Sequence, residues 1–264
     1  MPILEVSIYS LVSNTSSEYQ YNIYILYNSE DGPLREDCLN AILEYRQKNI
    51  DICFIDIKGN YYNICFRKTI PHFSRAMLYS LFLDKYIYKD KVLYLDSDTI
   101  INQDISIFYN EDITNYLFGA ILDEGVTFNY IRHFVQDKKY FNAGILLINL
   151  KKYREQEIQS KCIKLFNSRR TFLYQEQDVL NAIAEGQVKY LHPRYNMQWA
   201  ALFFKDRPAE FYLSNEFELT EEDWENPYII HYNGIHKPWK QDRDHKYAKY
   251  WWNYARQTKI YGGI

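Results

Sequence analysis

An α/β fold built on a parallel sheet is what this sequence predicts, on three observations. Two strand-then-helix units follow one another near the start, a pattern that lays strands side by side with helices across the faces. The run VLYL at residues 92–95 is apolar without alternation, as in a strand covered on both faces. Acids then stand where such strands stop, Asp96 and Asp98 after VLYL and Asp123 after YLFGAIL, and open α/β sheets gather their ligands at the carboxyl ends of strands.

The elements follow in order. ILEVSIYSLVSNTS spaces Ile3, Leu4, Ile8, Leu11 and Val12 along one helical face, and Asn14 with Ser16 supplies the stop. YNIYILYN reads as a strand, the turn EDGP leads into an amphipathic helix over 33–49, and IDICFIDI is a second strand. A helix over 73–86 precedes the strand KVLYL, and YLFGAIL is the next strand. AGILLINL is a buried strand running directly into the helix KKYREQEIQSKCIKLF. QDVLNAIAEG is a helix closed by Gly186, and VKYLHPRYN returns as a strand. Residues 200–226 blur into an irregular excursion with short helices. YIIHYNGIHKPW is a strand and loop, and HKYAKYWWNYARQ closes the chain as a helix.

Length and composition bound the function. The 264 residues suit one large domain, 1–264, with a sizeable core. The net charge of −3, with basic and acidic residues interspersed, argues against a nucleic-acid partner. Cys38, Cys53, Cys65 and Cys162 show no CxxC spacing and sit in apolar or helical stretches, which suits reduced thiols in a cytoplasmic protein and not a zinc site. No apolar run approaches the ~18 residues of a spanning helix.

Asp96 and Asp98 pose the chemical question. Asp and Ser favour turns where strands end, so a purely local reading exists. Two carboxylates held one residue apart also repel and desolvate each other, a cost offset by a hard divalent cation that accepts several oxygens. The pair is a candidate Mg²⁺ or Mn²⁺ clamp.

Four stretches in this order, LYLDSDTI, YFNAGILLINLKKYR, QEQDVLNAI and HYNGIHKPW, resemble the retaining glycosyltransferases of family 8 over nearly the whole chain. The resemblance implies a GT-A fold: a Rossmann-like nucleotide-binding α/β domain whose mixed, mainly parallel sheet is flanked by helices. It implies transfer of a hexose, glucose or galactose, from a UDP-sugar to a hydroxyl of a glycan, lipid-linked glycan or protein acceptor. By position, Asp96, Asp98 and His231 match the metal ligands, and imidazole beside carboxylates suits Mn²⁺ better than Mg²⁺. Lys237 would add a cation to the same phosphates, and Gly234 would let the backbone approach them. Asn142, Ala143 and Gly144 match the loop along the donor sugar, and Asp123 an acid that accepts from sugar hydroxyls. Gln177 matches the residue whose carbonyl lies near the anomeric carbon. Glu176, where relatives carry Asp, is the nearby carboxylate for a covalent route; covalent and same-face mechanisms both stay open.

Two departures accompany the match. Relatives begin with a strand and an acidic Asn-Tyr loop that hold base and ribose, and this chain starts where that loop ends, so a first strand is expected to be missing. In SRAMLYSLFLDKY, Tyr79 or Ser80 stands where relatives place a donor-contacting Arg, with Arg75 as the substitute. These departures motivate an alternative: a degenerate member that binds nucleotide sugar or a partner without efficient transfer. A haloacid-dehalogenase-type phosphatase also places Asp-x-Asp after an apolar strand, but its Thr follows the first Asp by four positions after a Gly. Thr99 here follows by three without one. Trp251, Trp252 and Tyr254 among Lys246, Lys249 and Arg256 read first as a face packed on the domain, and second as a peripheral membrane contact.

Overall fold

The structure, a computed structural model, describes residues 2–59, 64, 74–123, 125–133, 135–136, 139–168, 170–198, 217–240 and 245–262. In chain order the strands are β1 (Tyr21–Tyr27), β2 (Ile50–Asp56), β3 (Lys91–Leu95), β4 (Thr99–Ile101), β5 (Phe118–Leu122), β6 (Phe141–Asn149), β7 (Val188–Tyr190), β8 (Met197–Gln198) and β9 (Ile229–His231). The helices are α1 (Pro2–Ser13), α2 (Glu36–Leu43), α3 (Leu83–Tyr86), α4 (Ser106–Tyr109), α5 (Phe128–Ile131), α6 (Leu150–Glu155), α7 (Ile158–Phe166), α8 (Glu176–Ala184), α9 (Glu221–Glu225) and α10 (Ala248–Ala255).

The strands form a pair β1-β2, a sheet in the order β3-β6-β5-β7 and a sheet in the order β4-β9-β8. Mixed pairing is as expected, but the balance of directions is not: β6 runs antiparallel to β3 and β5, and β4 antiparallel to β9. The pairs β1-β2, β5-β7 and β8-β9 are parallel. The physical reason lies in β6, whose apolar run is buried on both faces as a parallel strand would be, so burial alone does not report direction. Leu146 and Ile148 join Phe118, Ala120 and the helices α6 to α8 on one side, while Ile145 and Leu147 join Ile121 and the β1-β2 layer on the other. Each such side chain, fully withdrawn from water, contributes about 1.5–3 kcal/mol.

Several elements are shorter than their patterns predict. The helix after EDGP covers only Glu36–Leu43, because Gln47 and Ile50 bridge in a tight turn that carries the chain into β2. Residues 75–82 wind as a 3₁₀ helix before α3, and the expected start at Phe73 lies outside the described residues. KKYREQEIQSKCIKLF is broken by Glu157, left-handed at φ 54°. VKYLHPRYN is strand only to Tyr190; Pro193 then opens a 3₁₀ turn over Pro193–Asn196. The excursion expected over 200–226 contains α9, and its part at 200–216 lies outside the described residues.

The two ends of the chain meet over the third sheet. Ser7 Oγ lies 3.2 Å from Thr99 Oγ1, the Ile101 amide donates to Ser10 Oγ, and Asn14 Nδ2 donates both to the Ile101 carbonyl and to Tyr254 Oη. Trp251, 1% exposed, packs with Val6, Ile100 and Ile230, so the aromatic face of α10 belongs to the core. Cys38, Cys53 and Cys162 are free thiols. Among the described residues no helix is long and apolar enough to cross a membrane.

Among the described residues, β1 pairs only with β2, and β3 only with β6. Between them opens a cavity of about 1590 Å³ that runs on past the end of β3 to Asp96 and Asp98.

Candidate functional site

The site forms where β3 ends and the chain turns into β4. The Asp96 amide donates to the Gly144 carbonyl at 2.7 Å, carrying the β3-β6 ladder one step past the strand, and Thr99 Oγ1 donates to the Asp96 carbonyl at 2.9 Å. The Asp-Ser-Asp turn is thus pinned at both ends. β4 lies antiparallel to β9 with Thr99 opposite His231, so residues 132 positions apart in the chain share one register step. The imidazole, 3% exposed, sets Nε2 at 3.3 Å from Asp98 Oδ1 and 3.7 Å from Asp96 Oδ2. The three predicted metal ligands therefore converge, with one ligand atom from each within 4.8 Å of the others.

Gly144 explains how they fit. A Cβ added there would lie 2.3 Å from His231 Cε1 and 2.6 Å from Asp96 Oδ2, so the cluster occupies the space that a side chain on β6 would take. Tyr94 and Asp96, two apart on one strand, share a face. The Tyr94 hydroxyl donates to Asp96 Oδ1 at 2.8 Å, leaving Oδ2 directed at the imidazole. On the other acid, Lys237 Nζ donates to Asp98 Oδ2 at 2.5 Å and to the Tyr232 carbonyl. Gly234, at φ 76°, supplies the turn that brings Lys237 back, with open space on its Cβ side.

These surroundings separate the two acids. Seclusion inside the cleft, then the charge of Asp98, pushes the Asp96 carboxyl above the usual carboxylate range. Burial also opposes ionisation of Asp98, but Lys237 and His231 overcome it and hold that carboxyl low. Two carboxylate oxygens and an imidazole nitrogen make a donor set that suits Mn²⁺ and related divalent ions. The convergence of these atoms on a spot kept free by Gly144 fits such an ion.

A second group lines the cavity wall. FNAG is the opening of β6 itself, not a loop ahead of it. Gln177 Nε2 donates to Asp123 Oδ2 at 2.9 Å, while its Oε1 accepts the Ala143 amide at 2.9 Å and Asn142 Nδ2 at 3.3 Å. A backbone amide can donate only to the oxygen, so the orientation of this side chain is fixed. Asn142 Nδ2 also donates to Asp123 Oδ2. Its Oδ1 accepts from the Gly144 amide and from Asn196 Nδ2. Glu176 opens α8 behind Gln175, whose φ of 51° is unusual for a non-glycine residue. It is 8% exposed, its Oε2 has no hydrogen-bond partner, and burial followed by the charge of Asp96 pushes its carboxyl well above the usual range.

The structure thus joins Asp96, Asp98, His231, Gly144 and Lys237 in one cluster, and Asp123, Asn142, Ala143 and Gln177 in the network beside it. Arg75 is exposed and is not among the residues lining the cavity, although its neighbours Ser74 and Ala76 are, and so is Tyr79. Three contributors escaped the sequence reading. Tyr94 was legible from its i, i+2 relation to Asp96. Asn196 carried no signal. Asp178, fully buried, accepts from the Tyr130 and Tyr140 hydroxyls at 2.6 Å each and from the Tyr174 amide, which holds the first turn of α8 in place.

Comparison with known proteins agrees with this geometry. The chain is 30% identical over 258 residues to general stress protein A of Bacillus subtilis, covering 95% of this chain and 87% of that protein. It is 28% identical over 255 residues to glycosyltransferase GlyE of Streptococcus pneumoniae, 96% of this chain but only 57% of that one. Among solved structures, galactosyltransferase LgtC in complex with donor and acceptor sugar analogs superposes with a TM-score of 0.75 at 24% identity, over 98% of this chain and 92% of that one. GlyE superposes at 0.69 over 96% and 57%. The profile of glycosyl transferase family 8 matches residues 1–243, and with the acids, the imidazole and FNAG brought together as described, the chain belongs to that family.

Proposed function

We propose that residues 1–264 form one catalytic unit, a retaining hexosyltransferase that moves glucose or galactose from a UDP-sugar to a hydroxyl acceptor with Mn²⁺. The observation that carries this reading is the meeting of Asp96 Oδ2, Asp98 Oδ1 and His231 Nε2 beside Gly144. These side chains would hold the ion, which when bound supplies positive charge to a diphosphate leaving group. Lys237, with its ammonium on Asp98, would add a second cation beside that diphosphate.

Asp123 and Asn142 present a carboxylate and an amide to sugar hydroxyls, and the locked Gln177 amide keeps their spacing. With its carboxyl shifted toward the neutral form, Glu176 is better suited to donate to a sugar hydroxyl than to attack carbon, which favours a same-face route over a covalent one. Free thiols fit a cytoplasmic setting. The exposed position of Arg75 favours a second reading, donor binding with slow transfer.

A screen of UDP-glucose and UDP-galactose with Mn²⁺ or Mg²⁺, reading released UDP, separates the two. Turnover with Mn²⁺ that Asp98→Ala abolishes, with the circular dichroism spectrum unchanged, supports transfer. Binding without turnover supports the second reading, and metal-independent turnover in Asp98→Ala overturns the metal assignment.

A further inference from the structure

Gln198 joins the two groups of residues from which the candidate site is built. It closes β8, is 3% exposed, and stands in register with His231 on the neighbouring parallel strand β9. Residues in register on paired strands share one face of the pleat, so Gln198 lies on the side where the imidazole meets the acids. Its Nε2 donates to the Leu122 carbonyl at 3.0 Å, and its Oε1 accepts from Asn233 Nδ2 at 3.1 Å. A carbonyl only accepts, so this amide cannot be turned over, and Asn233 is fixed in the same sense.

The Leu122 carbonyl belongs to the peptide unit that enters Asp123. The amide of the same unit, on Asp123, donates to the Tyr140 carbonyl at 2.8 Å. Both ends of one rigid plane are therefore bonded, and that plane sets where the Asp123 side chain leaves the backbone. The β5-β6 register shifts here, between Ala120 and Leu122. Such an irregularity disrupts the ladder and re-aims the side chain beside it. Gln198 holds the strand at this point from the other sheet.

Asn233 is the opposite end of the strut. Two residues beyond His231 and one before Gly234, it opens the turn that returns Lys237 to Asp98. One side chain thus ties the turn bearing His231 and Lys237 to the backbone of Asp123, whose carboxylate accepts from Asn142 and Gln177. Asn196, two residues earlier, makes the companion bond to Asn142 Oδ1. The segment 196–198 therefore reaches both β5 and β6 from the sheet that holds His231.

We propose that Gln198 is a positioning residue that links the ion's seat to the sugar network, so that filling either one favours filling the other. When the turn bearing His231 is restrained, Asn233, Gln198 and the peptide before Asp123 are restrained with it, and a sugar finds its acid already ordered. The linkage rests on the proposed function; the hold of Gln198 on the peptide entering Asp123 does not.

Gln198→Met keeps the length and bulk of the side chain and removes both hydrogen bonds. Calorimetry measures Mn²⁺ affinity alone, with UDP, and with UDP-glucose or UDP-galactose. In wild type the hexose is expected to tighten Mn²⁺ binding beyond the effect of UDP, and Mn²⁺ to tighten hexose binding by the same factor. In Gln198→Met the affinities for Mn²⁺ alone and with UDP are expected to stay within about twofold of wild type. The extra tightening due to the hexose is expected to fall about 3–10-fold, the worth of one lost bond. Gln198→Glu keeps the bond from Asn233 but sets an oxygen against the Leu122 carbonyl; it is expected to lose the same coupling and serves where the methionine variant does not fold. Equal losses of Mn²⁺, UDP and hexose affinity would mean a merely structural role, and unchanged coupling would remove Gln198; either overturns the proposal. Deuterium exchange without metal or donor separates the proposal from the proposed function. The Asp123 and Gly125 amides are expected to exchange about 10-fold faster in Gln198→Met than in wild type, with those of Val92 and Tyr94 unchanged. Equal rates overturn the positioning of Asp123 even where the donor binds. A wild type that binds Mn²⁺ but no UDP-sugar overturns the proposed function and the linkage with it, while faster exchange in the variant still supports the positioning.

Discussion

Gly144 carries the sharpest constraint at the scale of single residues. A methyl there meets the imidazole and the Asp96 carboxylate inside contact distance, so Gly144→Ala is expected to weaken Mn²⁺ binding about 10–100-fold by displacing ligands, with the far-ultraviolet spectrum unchanged. Titration calorimetry checks it, and wild-type affinity would remove Gly144 from the site. Glu176 supplies a pH dependence. Its folded-state carboxyl is raised, so it stabilises the fold fully at acid pH, and that stability is lost as pH climbs from the ordinary carboxylate range through the raised value. Glu176→Gln does not titrate. Without metal or donor, thermal unfolding is expected to show the variant gaining steadily on wild type from pH 4 to 8; a constant gap would contradict the burial argument. Asp96 and Asp98 were legible in the sequence because two acids one residue apart at the end of a buried strand repel and desolvate each other, a cost that a turn alone does not offset and a cation does. His231 was legible only through the motif around it, since its neighbour in space is Thr99, far off in the chain. Asn196 was not legible at all: its bond to Asn142 depends on how two distant segments pack.

Elements were readable where burial enforces a period and misread where local geometry decides. The strands β1, β2, β3 and β6 came from apolar runs, as did the helices α1 and α8. The 3₁₀ stretch over Arg75–Phe82 did not, because apolar spacing of three and four residues cannot separate it from an α-helix. The break between α6 and α7 is similar, since no glycine marks it. Glu157 takes the left-handed conformation on an exposed corner, a state that costs an L-residue roughly 1–2 kcal/mol. Glu157→Gly relieves this at the expense of chain entropy, and a net gain of about 0.5–1 kcal/mol is expected in urea unfolding. A loss would mean that the side chain supports the corner in a way its exposure hides.

At the scale of the whole molecule, Trp251 is the largest fully buried side chain among the described residues, and it holds the last helix against strands β4 and β9. Trp251→Ala is expected to lower stability by about 3–5 kcal/mol, measured by thermal unfolding; a loss below 1 kcal/mol, on the order of a surface change, would show that the helix is not integral. The reading of this helix as a packed face was right because its aromatics recur at helical spacing. The direction of strand pairing was beyond the sequence, because burial on both faces looks alike for either direction.

The lacing of α1 to both β4 and α10 gives the chain's carboxyl end an unexpected reach. Loosening the tail frees Asn14 and Ser10, and with them the short strand that begins immediately after Asp98. An ion gripped by the two acids resists that loosening. Digestion of the carboxyl end by an exopeptidase should therefore run slower on the metal-loaded protein, turning a distant stretch of polypeptide into a gauge of whether the acids are filled.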